Sequence, residues 1–235
     1  KRLRSGARKF TLPAREERSA RNTGTVNLKP YTPEPREFLG QLAYLQLTQF
    51  EILTNELKYS PNTQYKAELS EAATKSFDKY RHISRKLSAL GVDPTDAMDP
   101  YVERIETFHA RTAGADWFET VIKMYLVAGL LDDFYRRLAV GLDPLLRAEV
   151  EKALNDKALD KFAKRVLTES MAIDPTLPSR LALWGRRLMG DTQLVARSAL
   201  RLSDNANDNE SKLEPVFTDL VGSHSKRMDA LGLTA

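Results

Sequence analysis

The chain has 235 residues, of which 42% are hydrophobic and 29% charged, so it is long enough for one large globular domain or two small ones. It contains no cysteine, which excludes disulfides, thiolate metal sites and cysteine nucleophiles and favours a reducing, cytoplasmic location. The longest uninterrupted apolar run, at 124–131, is far shorter than the roughly 20 residues of a spanning helix, so no membrane span is predicted.

The formal net charge of +4 is unevenly distributed, because the first 36 residues form a basic arm. This arm contains ten Lys and Arg residues against three acids, a net charge of +7, so the rest of the chain carries −3. Its prolines favour extended backbone with short turns. Such an arm is expected to bind phosphates or an acidic partner, and the alternative is a disordered, solubilising leader. The candidate binding residues are Lys1, Arg2, Arg4, Arg8, Lys9, Arg15, Arg18, Arg21 and Lys29.

Downstream of the arm, the apolar spacing predicts helices and no strand. The first helix starts at Pro35, runs for about 24 residues and is stopped by Ser-Pro-Asn at 60–62. The second covers 63–90 and ends at Gly91. Further helices are predicted at 96–112, at 116–142, in a broken region that contains 143–154 and 157–173, at 177–202 and at 213–231.

Four of these helices are long and carry narrow apolar stripes, which is the pattern of an antiparallel helical bundle. The sequence therefore predicts an all-α protein whose bundle carries additional helices and the extended arm. The expected organisation is the arm at 1–36, the bundle at 37–202, a polar linker at 203–211 and a C-terminal helix at 212–235 that packs on the bundle.

The segment KSFDKYRHISRKL at 75–87 resembles half of a metal site, because Asp78 precedes His82 by about one helical turn. At 100° per residue, however, both side chains point away from the apolar stripe of their helix. Ser76 and Lys79 point inward instead. A carboxylate-bridged di-metal bundle needs Glu-x-x-His at such inward positions.

The other helices lead to the same conclusion, since Gln46, Ala128 and Leu159 occupy interior positions. Gln, Ser, Lys, Ala and Leu do not form a site for a hard or borderline divalent ion. We therefore expect no metal, no other cofactor and no catalytic residue. Asp132 lies near the interior stripe of its helix and is expected to form an ion pair with Lys79 in place of a metal bridge.

Three further groups could carry chemistry, and each has a plainer interpretation. His109 is expected to have a structural or surface role, and His224 is expected on the surface. Trp184, followed by Arg186 and Arg187, could stack on a base, but its spacing favours a core position with the two arginines in solvent.

Several long segments resemble one family in order: LGVDP, FHARTAGADWFETVIKMYLVAGLLDDFYRRLA, RLALWGRRLMGD and HSKRMDALGL. The resemblance, over about 40–233, is to an actinobacterial ferritin-like family that is described as similar to a tRNA hydroxylase. It implies a ferritin-like four-helix bundle with a di-iron centre. That family is expected to carry Glu at Gln46, Glu-x-x-His at Ser76 and Lys79, an acid at Ala128 and a His near Leu159. This chain departs from the pattern at every one of these positions.

These observations predict a degenerate, non-catalytic ferritin-like protein whose arm binds RNA, foremost ribosomal or other structured RNA. The first alternative is a di-iron, tRNA-hydroxylase-like oxygenase that uses other ligands, namely Glu51, Glu56, Asp132 and His82. The second alternative is a protein-only assembly factor whose arm docks on acidic protein surfaces.

Overall fold

The computed structural model describes residues 26–201 and 206–234, and their regular structure is entirely helical. Short 3₁₀ turns join several of the helices. The α-helices are Pro35–Glu56 (α1), Thr63–Ala89 (α2), Pro94–Met98 (α3), Val102–Arg111 (α4), Trp117–Leu138 (α5), Pro144–Ala153 (α6), Ala158–Ile173 (α7), Leu177–Ser198 (α8) and Ala206–Asp229 (α9).

Local sequence explains where the main helices begin and end. Asn62 starts α2, because its side-chain oxygen accepts a hydrogen bond from the backbone N–H of Tyr65 at 2.8 Å. Asp116 starts α5 in the same way, accepting from the N–H of Glu119 at 3.0 Å. Gly91 follows the end of α2 with a φ of 73°, a conformation that glycine adopts without strain.

The helical prediction is confirmed, and its boundaries for α1 and α2 hold within a few residues. The helix predicted at 96–112 is divided by a 3₁₀ turn at Asp99–Tyr101. Pro100 lies in this turn, and it has no backbone N–H to donate to a helical hydrogen bond. The broken region is two helices, α6 and α7. The helix expected to reach residue 142 ends as an α-helix at Leu138 and continues as a 3₁₀ turn.

The bundle is organised around α5, which contacts α1, α7, α8 and α9. α1 packs along its neighbour α2, and α2 in turn packs against α7. Because α5 is surrounded, its side chains are buried on nearly all sides, including several polar ones. Across the ranges that the structure covers, no helix has the length and apolar character needed to cross a membrane.

The folded body begins earlier than the boundary predicted at residue 36. Leu28 and Tyr31 are buried in the core. The hydroxyl of Thr32 donates to the carbonyl of Leu138 at 2.6 Å, and the N–H of Arg201 donates to the carbonyl of Tyr31 at 2.9 Å. Residues from Val26 onward therefore belong to the bundle and not to an extended arm. Among the candidate binding residues of the arm, Lys29 lies in the described part of the chain and is exposed. The others, from Lys1 to Arg21, lie outside the described residues.

The linker predicted at 203–211 is also corrected, because α9 begins at Ala206. The polar, turn-favouring composition of this segment suggested a break. Leu213, Val216, Phe217 and Leu220 are buried, and this packing of α9 on the bundle outweighs local propensity. Residues 202–205 lie outside the described residues.

Candidate functional site: the polar centre of the bundle

A buried ion pair lies at the centre of the bundle. Nζ of Lys79 on α2 is 3.2 Å from Oδ2 of Asp132 on α5, and the two side chains are only 8% and 11% exposed. This pair confirms the one expected from the sequence. The amide of Gln46 on α1 lies 3.5 Å from the other carboxylate oxygen of Asp132. Three helices therefore meet around one carboxylate.

A second, neutral contact lies beside the ion pair. Nε2 of Gln49 on α1 donates to the hydroxyl of Ser76 on α2 at 2.9 Å, and that hydroxyl donates to the carbonyl of Ala72 at 3.2 Å. All three residues are buried. Hydrogen bonding offsets the cost of removing these polar groups from water, so the contact can persist in the interior.

The interior positions predicted from the sequence converge in space. Ala128 on α5 and Leu159 on α7 line one small cavity of about 20 Å³ together with Lys79 and Asp132. Gln46, with Ala128 and Asp132, lines another cavity of about 10 Å³. A space of this size holds about one water molecule.

The donor set around these cavities does not fit a di-metal centre. Asp132 is already paired with an ammonium group, whose positive charge occupies the place that a cation would need. The predicted interior positions Gln46, Ser76, Ala128 and Leu159 supply no carboxylate or imidazole. Two further carboxylates, Asp156 and Asp160, line the larger cavity together with the cations Lys157 and Arg227. Within residues 26–201 and 206–234, no cluster of three or more His, Asp or Glu side chains could hold a metal ion.

The alternative ligands do not assemble around Asp132 either. Glu51 on α1 is exposed. Glu56 is half-buried, and burial raises the pKa of its carboxyl group. Nε2 of His82 lies 2.9 Å from a carboxylate oxygen of Glu149 on α6. His82 is thus partly covered, whereas Asp78 is exposed as predicted.

Sequence reasoning missed a buried cation, Lys123 on α5, which is only 2% exposed. Its Nζ donates to the backbone carbonyl of His109 at 3.2 Å. Burial lowers the pKa of Lys123 to about 8. The His109 ring lies 3.4 Å from the Thr48 hydroxyl, and burial, followed by the charge of Lys123, lowers the pKa of His109 to about 3. The available signal was the continuous apolar sequence around Lys123, which is typical of a helix buried on all sides.

Two other predicted groups have structural positions. His224 was predicted on the surface, and this is wrong: it is 4% exposed, with Nε2 3.0 Å from the carbonyl of Gly185. The side chain fits there because a glycine allows α8 and α9 to approach closely. Trp184 packs against the core, and its Nε1 donates to the carbonyl of Glu119 at 3.1 Å. Arg186 and Arg187 are exposed, as predicted.

The comparison with protein families agrees with this architecture. A family model described as the actinomycete ferritin-like domain matches residues 30–207, which is most of the chain. No curated protein matches it. The matched range starts within the part of the N-terminal segment that packs on the bundle and extends through α8 into the start of α9. The chain therefore belongs to the actinomycete family of ferritin-like domains.

Proposed function

We propose that this protein is a non-catalytic member of its ferritin-like family that binds structured RNA, foremost ribosomal RNA, through its basic N-terminal arm. The observation that carries the proposal is the separation of charge along the sequence. Residues 1–25, which precede the packed segment, contain eight Lys and Arg against two acids, a net charge of +6, whereas the total for the chain is only +4. A concentrated positive charge on a slightly acidic body favours contacts with phosphates by the arm and not by the bundle.

The interior of the bundle supports the non-catalytic part of the proposal. The Lys79 ammonium group neutralises Asp132 without any metal. The neighbouring amides and hydroxyl of Gln46, Gln49 and Ser76 are neutral and suit hydrogen bonding better than metal coordination. A protein that stabilises its fold through these contacts uses the family's architecture as a scaffold that holds the arm.

The arm's interaction with RNA is tested best in the full chain by substituting Arg15, Arg18 and Arg21 together with Gln. The matched control replaces three exposed cations of α2, Lys66, Lys75 and Arg85, with Gln. Binding to a folded ribosomal RNA fragment is measured between about 50 and 200 mM salt. Because each phosphate contact contributes about 0.7–0.9 to the log–log salt slope, we expect the arm variant to lose about 2–3 units of slope and the control to lose little.

A truncation experiment must keep the packed part of the N-terminal segment. A chain that begins at Val26 retains Leu28 and Tyr31, which are buried in the core. A chain that begins at Arg36 would lose both residues and be less stable. Weaker RNA binding by that chain would then not distinguish unfolding from loss of the arm. Equal RNA affinity of the full chain and the Val26 truncation would contradict the proposal.

Two further measurements address the alternatives. If nuclease treatment leaves the arm-dependent native complex intact, the arm docks on protein and the RNA proposal is wrong. Metal analysis of the purified full chain is expected to find no stoichiometric iron. About two irons per chain, the content of a carboxylate-bridged centre, would overturn the non-catalytic proposal.

A further inference from the structure

The outward face of α8 carries two large apolar side chains in solvent. Leu183 is 65% exposed and Leu194 is 62% exposed, although α8 packs on the bundle with its opposite face. At 100° per residue these two leucines lie within about 20° of each other around the helix. They are separated by eleven positions, or roughly 16 Å along the helix axis.

The positions between the two leucines suit a close helix contact. Gly190 lies on the same face, and a side-chain carbon added there would meet no atom within 4 Å. Arg187 and Asp191, one turn apart, flank this glycine on one side of the face. Arg187 is exposed and Asp191 is half-buried. The face therefore carries one cation and one anion beside an open centre.

A groove adjoins one end of this face. It lies between α8 and the α4 region, has a volume of about 430 Å³, and is lined by Leu194 and Val195 of α8 and by Phe108 and Arg111 of α4. Leu183 lies at the other end of the face. One end thus carries exposed Leu183. The other end carries exposed Leu194 beside a groove of mixed lining, in which Phe108 and Val195 are apolar and Glu103 and Arg104 are charged.

We propose that a second copy of this chain docks on the outward face of α8, with the two α8 helices antiparallel. A two-fold axis that passes between residues 188 and 189 places Leu183 of each copy against Leu194 and the groove of the other. The same axis places Arg187 of each copy beside Asp191 of the other. Gly190 then lies close to the axis, where the two helix backbones approach each other.

A second copy fits this face because the face is complementary to itself. A two-fold contact brings residue i of one copy against residue j of the other, and residue j of the first against residue i of the second. Each pair of complementary groups must therefore lie on the same surface, with both members at the same distance from the axis. Leu183 and Leu194 are equidistant from the proposed axis. Arg187 and Asp191 lie on the same side of the face, and so they meet across it.

Because the chain has no cysteine, introduced cysteines test the geometry directly. Two copies of position 190 are separated by about 4–5 Å along the helix axis in this arrangement, so Gly190→Cys is expected to form a disulfide-linked dimer on mild oxidation. Leu183→Cys should not cross-link, because its two copies are about 16 Å apart. Ile173→Cys, at an exposed position on α7, is the matched control and should remain monomeric on a non-reducing gel. Equal cross-linking of all three variants would overturn the proposed contact.

Sedimentation equilibrium of the full chain tests the dimer without cross-linking. We expect twice the chain mass for the wild type, the chain mass for Leu194→Glu, and an unchanged dimer for the control Leu145→Glu on α6. Arg187→Glu and Asp191→Arg should each weaken association at least tenfold, because each places like charges together. The double variant should recover most of the wild-type affinity. A wild-type chain that stays monomeric up to about 100 µM, or a double variant no better than the single ones, would contradict the proposal.

Discussion

Replacement of Asp132 by Ala is expected to destabilise the protein by about 3–5 kcal/mol, the largest effect of any single substitution considered. Lys79 would be left as a buried ammonium group without a counter-charge, since its Nζ lies 3.2 Å from Asp132 and both side chains are nearly inaccessible. The Gln46 amide would also lose its contact with the carboxylate. The free energy of unfolding from urea titration measures the loss.

The double variant Lys79→Met, Asp132→Leu removes both charges, so it measures the net contribution of the ion pair to the free energy of unfolding. The single variant measures the destabilisation caused by one unpaired buried charge. Apolar residues of similar volume remove both charges together, so we expect a cost of no more than about 1 kcal/mol, or a gain. The matched control is Asp219→Ala. Its ion pair with Arg137, at 3.1 Å, is largely exposed, so its loss should cost less than about 1 kcal/mol. If Asp132→Ala costs no more than Asp219→Ala, the pair is not the buried contact described above.

Replacement of Lys123 by Met is expected to stabilise the protein at pH 7. Burial lowers the pKa of Lys123 from 10.5 to about 8, and each pKa unit corresponds to about 1.4 kcal/mol, so the buried charge costs about 3 kcal/mol at neutral pH. The variant also removes the hydrogen bond from Nζ to the His109 carbonyl, worth about 1 kcal/mol. A net gain of about 1–2 kcal/mol in the free energy of unfolding is expected.

The pH dependence identifies the cause of this gain. Between about pH 8 and 10.5 the unfolded chain holds the Lys123 proton and the folded chain does not, so wild-type stability rises with pH through this window. Above the pKa of Lys123 in the unfolded chain, this lysine is neutral in both states, so burying it no longer requires the loss of a charge. The stability gained by Lys123→Met should therefore disappear at such a pH. Urea titrations at pH 7 and at about pH 11.5 measure both values. Lys75→Met, at an exposed position on α2, is the control and should show no such window. A Lys123→Met variant that is less stable than wild type at pH 7 would contradict the assignment.

The periodicity of individual helices was sufficient to predict most of the polar centre. It placed Ser76 and Lys79 inward and Asp78 outward, and the structure has them so. Side-chain direction on a helix depends only on position and on the apolar stripe, so one helix can be oriented from its own sequence. The pairing of Lys79 with Asp132 could also be expected, because two opposite charges on interior stripes have few other partners.

The same reasoning failed where burial depends on several neighbours at once. Lys123 and His224 are buried by helices that are distant in sequence, and a stripe on their own helix does not reveal this. α5 is enclosed by four helices, so it has no solvent face on which Lys123 could lie. His224 depends on the close approach of α9 to Gly185 of α8.

The sequence by itself determined that this protein is helical, where α1, α2 and α5 begin, that Ser76, Lys79 and Gln46 face the interior, and that its positive charge is concentrated toward the N-terminus. These properties follow from local spacing, capping and composition. Only the tertiary structure decided that Leu28 and Tyr31 belong to the body, that α9 begins at Ala206, and that Lys123 is enclosed. Each of these depends on apolar surface that distant helices bury together, and local sequence does not contain that information.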